Sequence, residues 1–204
     1  MSKQLIVDYM PFDVTPQQIN ESISKNDGRL IVNGVLQRAN AKNQNGRVYP
    51  RETLMREADN YSKLQIKERR ALGELDHPDS SVVNLNNVSH NIMEMHWNGD
   101  DLVGTVEVLG TPSGNILKEL FKSGIKLGIS SRGLGSVEEL GESDDGQSTV
   151  AVQPDFELIA FDFVSNPSTQ GAFLSPIKEG VERNNNTRKI TKVESIINDI
   201  LRGE

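Results

Sequence analysis

The sequence predicts an α+β protein that is mainly β, built from many short strands with a few peripheral helices. Short segments rich in apolar and β-branched residues recur along the chain, which is typical of strands. Turn signals such as Asn98-Gly99 separate these segments, and helical spacing of apolar residues occurs in only a few places. Many short strands with few helices indicate a barrel or a sandwich with helices at its periphery.

Each predicted strand lies between polar or turn-forming residues. Pro78 stops one strand directly after His77, and Asn98-Gly99 is expected to form the turn of a hairpin. The predicted strands span residues 5–10, 30–37, 70–77, 88–97, 101–109, 127–132, 136–140, 149–152 and 156–164.

Three helices are predicted before the last strand. Thr15 and Gln18 form a capping box around Pro16, which predicts a helix that continues to about residue 24. The apolar spacing of Leu54, Ala58, Tyr61 and Leu64 predicts a helix over 51–67, and a third is expected over 115–122.

The length of 204 residues fits one domain with appendages. We expect a strand and helix extension over 1–28, a main domain over 29–180, and a linker with an amphipathic helix over 181–204. The apolar stripe of the last helix predicts docking, either on its own domain or on a scaffold or another subunit.

Composition excludes several classes of function. The chain has no cysteine, which rules out disulfides, thiol catalysis and thiolate zinc sites. A net charge of -7 disfavours a general nucleic-acid binder. Hydrophobic residues make up 35% of the chain with no apolar run of about 18 residues, so we expect a soluble globular protein without a membrane span.

Ser130 and Ser131 are the candidate nucleophiles. Successive side chains of a strand point to opposite faces, so Ser131 shares the apolar face of Leu127 and Ile129, whereas Ser130 lies on the other face. A core-facing serine is usually a satisfied structural hydroxyl. We therefore predict Ser130 as the nucleophile, which needs a neighbouring base.

His77 is the predicted general base, because imidazole titrates near neutral pH. Asp162 is the predicted third residue that orients the imidazole, since a carboxylate inside an apolar strand is costly unless it is paired. Asp76 adjoins His77 but is expected on the opposite strand face. Asp155 and Glu157 are weaker candidates.

Two further interpretations concern neighbouring residues. The backbone N–H groups of Arg132 and Gly133 are candidates for an oxyanion hole, and the Arg132 side chain is expected to contact substrate or to form a structural salt bridge. His90, Glu94 and His96 share strand parity, which leaves a metal site open as an alternative, although two histidines and one carboxylate make a poor ligand set.

Four segments together resemble the prohead core proteases of large tailed bacteriophages, over roughly residues 29–177. The segments are Asn43-Gln44-Asn45-Gly46-Arg47-Val48-Tyr49-Pro50, Ala71-Leu72-Gly73-Glu74-Leu75-Asp76-His77-Pro78, Met95-His96-Trp97-Asn98-Gly99-Asp100-Asp101 and Gly128-Ile129-Ser130-Ser131-Arg132-Gly133-Leu134-Gly135-Ser136.

The resemblance implies a β-barrel of the herpesvirus assemblin type and a serine endopeptidase that needs no cofactor. It points to the same Ser130 and His77, and to an Asp at the position of Asp162, where assemblins use a second histidine. Arg47 and Tyr49 are expected either to line a substrate groove or to pack in the core.

The implied substrates are scaffold core proteins and the major capsid protein inside the prohead, in the host cytoplasm, and the chain itself is an expected partner, as an oligomer in the prohead core. From charge and hydropathy, we expect neither nucleic acid nor membrane as a partner. The implied cut follows Glu in (Leu/Ile)-x-Glu-(Ala/Gly). Ile177-Lys178-Glu179-Gly180 matches this pattern, so the chain is expected to be a self-cleaving proenzyme. The alternative is a non-catalytic capsid or scaffold component that keeps the fold.

Overall fold

Strands dominate the computed structural model, which describes residues 3–142 and 148–165. The strands are β1 (Gln4–Phe12), β2 (Leu30–Arg38), β3 (Arg47–Val48), β4 (Leu72–Glu74), β5 (Val88–Asn98), β6 (Asp101–Val108), β7 (Leu127–Gly135), β8 (Val137–Glu142), β9 (Ser148–Val152) and β10 (Glu157–Val164). The helices are α1 (Pro16–Lys25), α2 (Arg51–Tyr61) and α3 (Pro112–Lys122). The predicted mainly β class with few helices is confirmed.

The strands form three hydrogen-bonded sheets, in the orders β1-β7-β10, β2-β6-β5-β4 and β3-β9-β8. A parallel bridge between Leu75, directly after β4, and Phe163 of β10 joins the first two sheets. The joined array curls so that its end strands, β1 and β2, lie against each other. No strand pairing links β1 to β2 in the described residues, so closure of the predicted barrel stays a prediction.

The inner face of this array holds the main apolar core. Phe163 lies at its centre, in edge-to-face contact with Phe12 of β1 and Phe121 of α3 at centroid distances of 5.1 and 5.4 Å. Ile129 of β7 and Val106 of β6 face the same core and are fully buried. Successive residues of β7 therefore alternate between this core and the outer face of the sheet.

The first helix begins where the sequence predicts. The Thr15 hydroxyl accepts a hydrogen bond from the Gln18 N–H, and the Gln18 side chain accepts one from the Thr15 N–H, which completes the capping box. The predicted helix over 51–67 instead ends at Tyr61 and continues as a π-helical turn over Ser62–Ile66. This wider turn moves Leu64 off the buried face, and 61% of its surface is exposed. None of the described helices is long and apolar enough to span a bilayer.

The segment predicted as an N-terminal extension is part of the sheet. β1 pairs with β7 from Gln4, opposite Gly135, to Phe12, opposite Leu127. The boundary predicted at residue 28 therefore does not coincide with an interruption of the sheet. The tail predicted over 181–204 lies outside the described residues.

Candidate active site

The two serines of β7 have different surroundings. Ser131 faces the core side, where its hydroxyl accepts a hydrogen bond from the Gln37 Nε2 at 2.8 Å and lies 3.5 Å from the carbonyl oxygen of Asp8. It is a satisfied structural hydroxyl, as the face argument predicts.

Ser130 points to the outer face of the sheet, yet only 1% of its surface is exposed. It lies between Tyr9 of β1 and Asp162 of β10, its direct neighbours in the two ladders. Among the described residues, no group hydrogen-bonds to its Oγ. A buried hydroxyl without a partner costs stability, so it requires an explanation other than packing.

One wall beside Ser130 is an aromatic ring. The side chain of Tyr9 lies over Gly128, where an added Cβ would come within 1.6 Å of the ring. Burial raises the pKa of the Tyr9 phenol above its ordinary value, and the negative charge of Asp13 adds to this. Gly128 therefore provides the space in which Tyr9 packs next to the serine.

His77 lies on the loop that follows β4 and is attached to β10, the neighbour of the serine strand. The strand predicted over 70–77 ends at Glu74, followed by the bridge from Leu75 to Phe163. Asp76 has a left-handed backbone conformation (φ 64°), and its N–H donates to the Phe163 carbonyl at 2.7 Å. The left-handed conformation of Asp76 interrupts the strand. The prediction that Asp76 and His77 lie on opposite strand faces depended on an uninterrupted strand, so it no longer has this basis.

Asp76 is thus fixed against Phe163 of β10, and Phe163 directly follows Asp162, the neighbour of Ser130. His77 comes directly after Asp76 and is half-buried. Its own N–H donates to the Asp76 carboxylate at 3.1 Å. Arg132, which has the same strand parity as Ser130, donates hydrogen bonds to the carbonyls of Ser80 and Val82 in this loop, so part of the loop lies on the face of the sheet that carries Ser130.

Asp162 is fully buried, and its carboxylate has several partners. Oδ2 accepts from the Arg132 Nε at 2.8 Å, and Oδ1 accepts from the Arg132 Nη2 at 3.2 Å and from the Glu74 N–H at 2.9 Å. Burial raises the pKa of Asp162, and the Arg132 guanidinium opposes this rise. The orienting role of Asp162 toward His77 stays a prediction.

Arg132 has a structural role. Its guanidinium makes five hydrogen bonds, equal to its number of N–H donors: to both oxygens of Asp162, to the Glu74 Oε1, and to the carbonyls of Ser80 and Val82. The side chain has no exposed surface. Of the two roles expected of the Arg132 side chain, these contacts form the structural salt bridge, and a substrate contact stays a prediction.

Gly133 is enclosed by the neighbouring strands. An added Cβ would come within 2.4 Å of the Phe156 ring and 2.6 Å of the Glu157 carbonyl oxygen. Gly133 pairs with Ile6 on one side and Leu158 on the other, which places its backbone inside the central strand of the sheet. The oxyanion role of the backbone N–H groups stays a prediction.

A second buried cluster explains the motif around Arg47. The Asp8 Oδ1 accepts from the Arg47 Nη1 at 2.8 Å and from the Asn45 Nδ2 at 2.7 Å, and its Oδ2 accepts from the Tyr49 hydroxyl. Burial, together with the charge of Asp8, raises the pKa of Tyr49 well above its ordinary value. Arg47 and Tyr49 pack in the core and do not line a groove.

The metal alternative is wrong. A β-bulge between Ile92 and Glu94 breaks the parity of β5, so Glu94 and His96 face away from the side on which His90 lies. His90 is fully buried, with Nε2 2.9 Å from the Phe161 carbonyl oxygen and Nδ1 2.8 Å from the Ser89 Oγ. Residues 3–142 and 148–165 contain no group of three side chains that could hold a metal ion.

The weaker candidates for the third catalytic residue have partners elsewhere. Asp155 accepts hydrogen bonds from the Ser136 N–H and hydroxyl at 2.9 and 3.0 Å, and the exposed Glu157 pairs with Lys3. Sequence reasoning missed Glu74, although a carboxylate between Gly73 and Leu75 in a predicted strand is the signal used for Asp162. The predicted self-cleavage site, Glu179 and Gly180, lies outside the described residues.

Comparison with known proteins identifies relatives of the chain among phage proteases. The chain is similar to the prohead core protein protease of bacteriophage T4, with 31% identity over 150 residues, which are 72% of this chain and 68% of the relative. Its fold is similar to the structure of the bacteriophage T4 capsid assembly protease, with a TM-score of 0.68 and 26% identity, covering 81% of this chain and 99% of the other. The family model described as prohead core protein serine protease matches residues 6–185, so the chain belongs to this protease family.

Proposed function

We propose that the protein is a serine endopeptidase that cleaves scaffold and capsid proteins during maturation of a phage prohead. The observation that carries this proposal is the buried Ser130 hydroxyl, which has no hydrogen-bond partner in the described residues. Two residues further along the same strand, Arg132 donates hydrogen bonds to the Ser80 and Val82 carbonyls in the loop that carries His77. A group kept unsatisfied at a cost in stability is typical of a reactive site.

In the proposed mechanism, His77 removes the proton of Ser130 as the oxygen attacks the scissile carbonyl carbon. The imidazolium then protonates the leaving amine as the C–N bond breaks, which leaves an acyl-enzyme. Water, activated by the neutral imidazole, hydrolyses the ester and regenerates Ser130. Asp162 is the proposed third residue, and the backbone N–H groups of Arg132 and Gly133 are the proposed oxyanion donors.

The proposed substrates are scaffold core proteins and the major capsid protein, cut after Glu in (Leu/Ile)-x-Glu-(Ala/Gly). Support comes from the T4 relatives, which are a prohead core protein protease and a capsid assembly protease. The proposed location is the prohead interior in the host cytoplasm, where many copies of enzyme and substrate are enclosed together.

We also propose that the chain cleaves itself between Glu179 and Gly180, which would remove 204 − 179 = 25 residues. Ile177-Lys178-Glu179-Gly180 fits the proposed cleavage pattern. The removed tail includes the amphipathic helix predicted near the end of the chain, so cleavage would separate the enzyme from whatever this helix binds.

Intact mass after parallel incubation of wild type, Ser130→Ala and Ser131→Ala tests both proposals. We expect wild type and Ser131→Ala to lose residues 180–204, and Ser130→Ala to stay whole because loss of the nucleophile lowers turnover by roughly 10⁶. If no variant is cut, co-expression with the scaffold protein follows. Absence of cutting there as well would favour the non-catalytic capsid component, and cutting of Ser130→Ala would refute the role of Ser130.

A further inference from the structure

The loop that carries His77 is held at both ends by hydrogen bonds of one buried residue, Glu74. At its beginning, the Glu74 N–H donates to Asp162 at 2.9 Å, which fixes the end of β4 against β10. At its far end, the Asn84 N–H donates to the Glu74 Oε1 at 3.0 Å. Glu74 therefore draws together the two ends of the segment 75–84, with His77 between them.

Arg132 holds the middle of the same segment. Its Nη1 donates to the carbonyl oxygens of Ser80 and Val82 at 2.8 and 3.5 Å. Its Nη2 donates to the Glu74 Oε1 at 2.9 Å, so one guanidinium contacts both the loop and the carboxylate that closes it. Because Arg132 lies two residues after Ser130 on β7, the loop is tied to the strand of the proposed nucleophile.

The cluster is costly, which makes a purely stabilising role a poor explanation. Arg132, Glu74 and Asp162 have 0% exposed side chains, and the Glu74 Oε2 has no hydrogen-bond partner among the described residues. Desolvation of buried ion pairs often cancels their attraction, so apolar residues of similar volume frequently stabilise a protein equally well. Two carboxylates around one arginine do, however, fix the position of everything hydrogen-bonded to them.

We propose that Arg132 and Glu74 are positioning residues that hold the His77 loop at the distance from Ser130 that proton transfer requires. This inference rests on the proposed function and adds to it two residues that act through His77. Neither side chain is expected to touch substrate. A displacement of about 1 Å in such a site costs about 10²-fold in rate.

Arg132→Lys and Glu74→Gln in the full chain test the proposal. Lysine keeps the charge but cannot bind four partners at once, and glutamine keeps the shape but loses the charge. The readout is the rate at which a fluorophosphonate probe labels Ser130, followed by intact mass, because this probe needs an activated serine and no substrate sequence. We expect labelling of both variants to be about 10²-fold slower per folded molecule.

Arg47→Lys is the matched control. Arg47 forms a second buried arginine–carboxylate pair within residues 3–142 and 148–165: it lies 2.8 Å from Asp8 and its side chain is only 4% exposed. The Arg47→Lys variant should lose about as much stability as Arg132→Lys, while its rate of labelling per folded molecule stays at the wild-type value. Amide hydrogen exchange provides the second readout: it should accelerate in residues 76–84 of Arg132→Lys and not in β5 or β6.

The outcomes separate the two proposals. Labelling of wild type that Ser130→Ala abolishes supports the proposed function; absent labelling of wild type contradicts it. Wild-type labelling rates in both Arg132→Lys and Glu74→Gln would overturn the positioning role even if Ser130 is the nucleophile. Unchanged exchange in 76–84 would overturn the loop attachment itself, whatever the activity.

Discussion

Two adjacent serines differ in how their hydroxyl groups are satisfied. Ser131 completes a hydrogen bond with Gln37 across the core, whereas the Ser130 hydroxyl is buried with no partner among the described residues. Strand alternation alone predicts this difference, because it places the two side chains on opposite faces of β7.

Alanine substitutions of the two serines should therefore change stability in opposite ways. Ser131→Ala leaves the Gln37 Nε2 unsatisfied and should lower the free energy of unfolding by about 1–3 kcal/mol. Ser130→Ala removes an unsatisfied buried oxygen and should leave this free energy unchanged or raise it. Urea denaturation of both variants measures the difference, and a larger loss for Ser130→Ala would contradict the assignment.

His90 should make stability depend on pH. Burial lowers the pKa of His90 from 6.5 to about 4, because removal from water disfavours the charged ring, and the hydrogen bond with the Phe161 carbonyl only partly opposes this shift. The folded pKa lies below the unfolded one, so the stabilisation is complete above pH 6.5 and is lost as the pH falls toward 4. The loss is on the order of 3 kcal/mol.

Chemical denaturation at several pH values measures this effect. His90→Gln should show a flatter decline of the free energy of unfolding between pH 6.5 and 4.5 than wild type. His96→Gln is the control, because His96 is exposed and should keep the wild-type slope. Equal slopes in wild type and His90→Gln would show that His90 is not the group responsible.

At the scale of elements, the loop after β4 is the part of the site that the sequence predicts least well. The motif around His77 indicates a strand, but Asp76 takes a left-handed conformation and β4 ends at Glu74. The competing interaction is the hydrogen bond from the Asp76 N–H to the carbonyl oxygen of Phe163, which lies 163 − 76 = 87 positions later in the sequence. A local pattern carries no information about such a partner.

The same reasoning explains why the metal interpretation was wrong and why the role of Arg132 stayed open. The parity of His90, Glu94 and His96 holds only in a regular strand, and the bulge in β5 depends on pairing with β6. The partners of Arg132 come from β4, β10 and the loop between them, so the sequence left its role open. By contrast, α1 and the β5–β6 hairpin follow from local turn and capping chemistry and are confirmed.

Close approach of β4 to its neighbours should make Gly73 intolerant of a side chain. A Cβ at this position would lie 2.0 Å from the Phe161 carbonyl oxygen and 2.2 Å from the His90 Nε2. Gly73→Ala should therefore destabilise the protein by about 1–3 kcal/mol through overpacking. Gly110→Ala is the control, since nothing lies within 4 Å of its added Cβ. Equal thermal unfolding midpoints of the two variants would contradict this packing.

At the scale of the whole molecule, the joined array of β1-β7-β10 and β4-β5-β6-β2 places the candidate site on its outer face while the core fills its inner face. The serine strand β7 is central in its sheet, so its position depends on both neighbours. One of these neighbours, β1, comes from the segment that the sequence analysis assigned to an extension.

Removal of residues 1–28 should consequently abolish folding rather than trim an appendage. The truncated chain loses the ladder from Gln4 to Phe12 along β7, together with the edge-to-face contact of Phe12 with Phe163. An exposed edge on β7 and a gap in the core each cost several kcal/mol, comparable to the whole stability of a domain. We expect residues 29–204 alone to show no cooperative thermal transition, and a peptide of residues 1–28 added in trans to restore one.

Truncation after residue 180 is the control, because it removes none of the described strands and should keep the transition. Cooperative unfolding of residues 29–204 at the wild-type midpoint would instead support the boundary at residue 28 and make β1 dispensable for holding the serine strand.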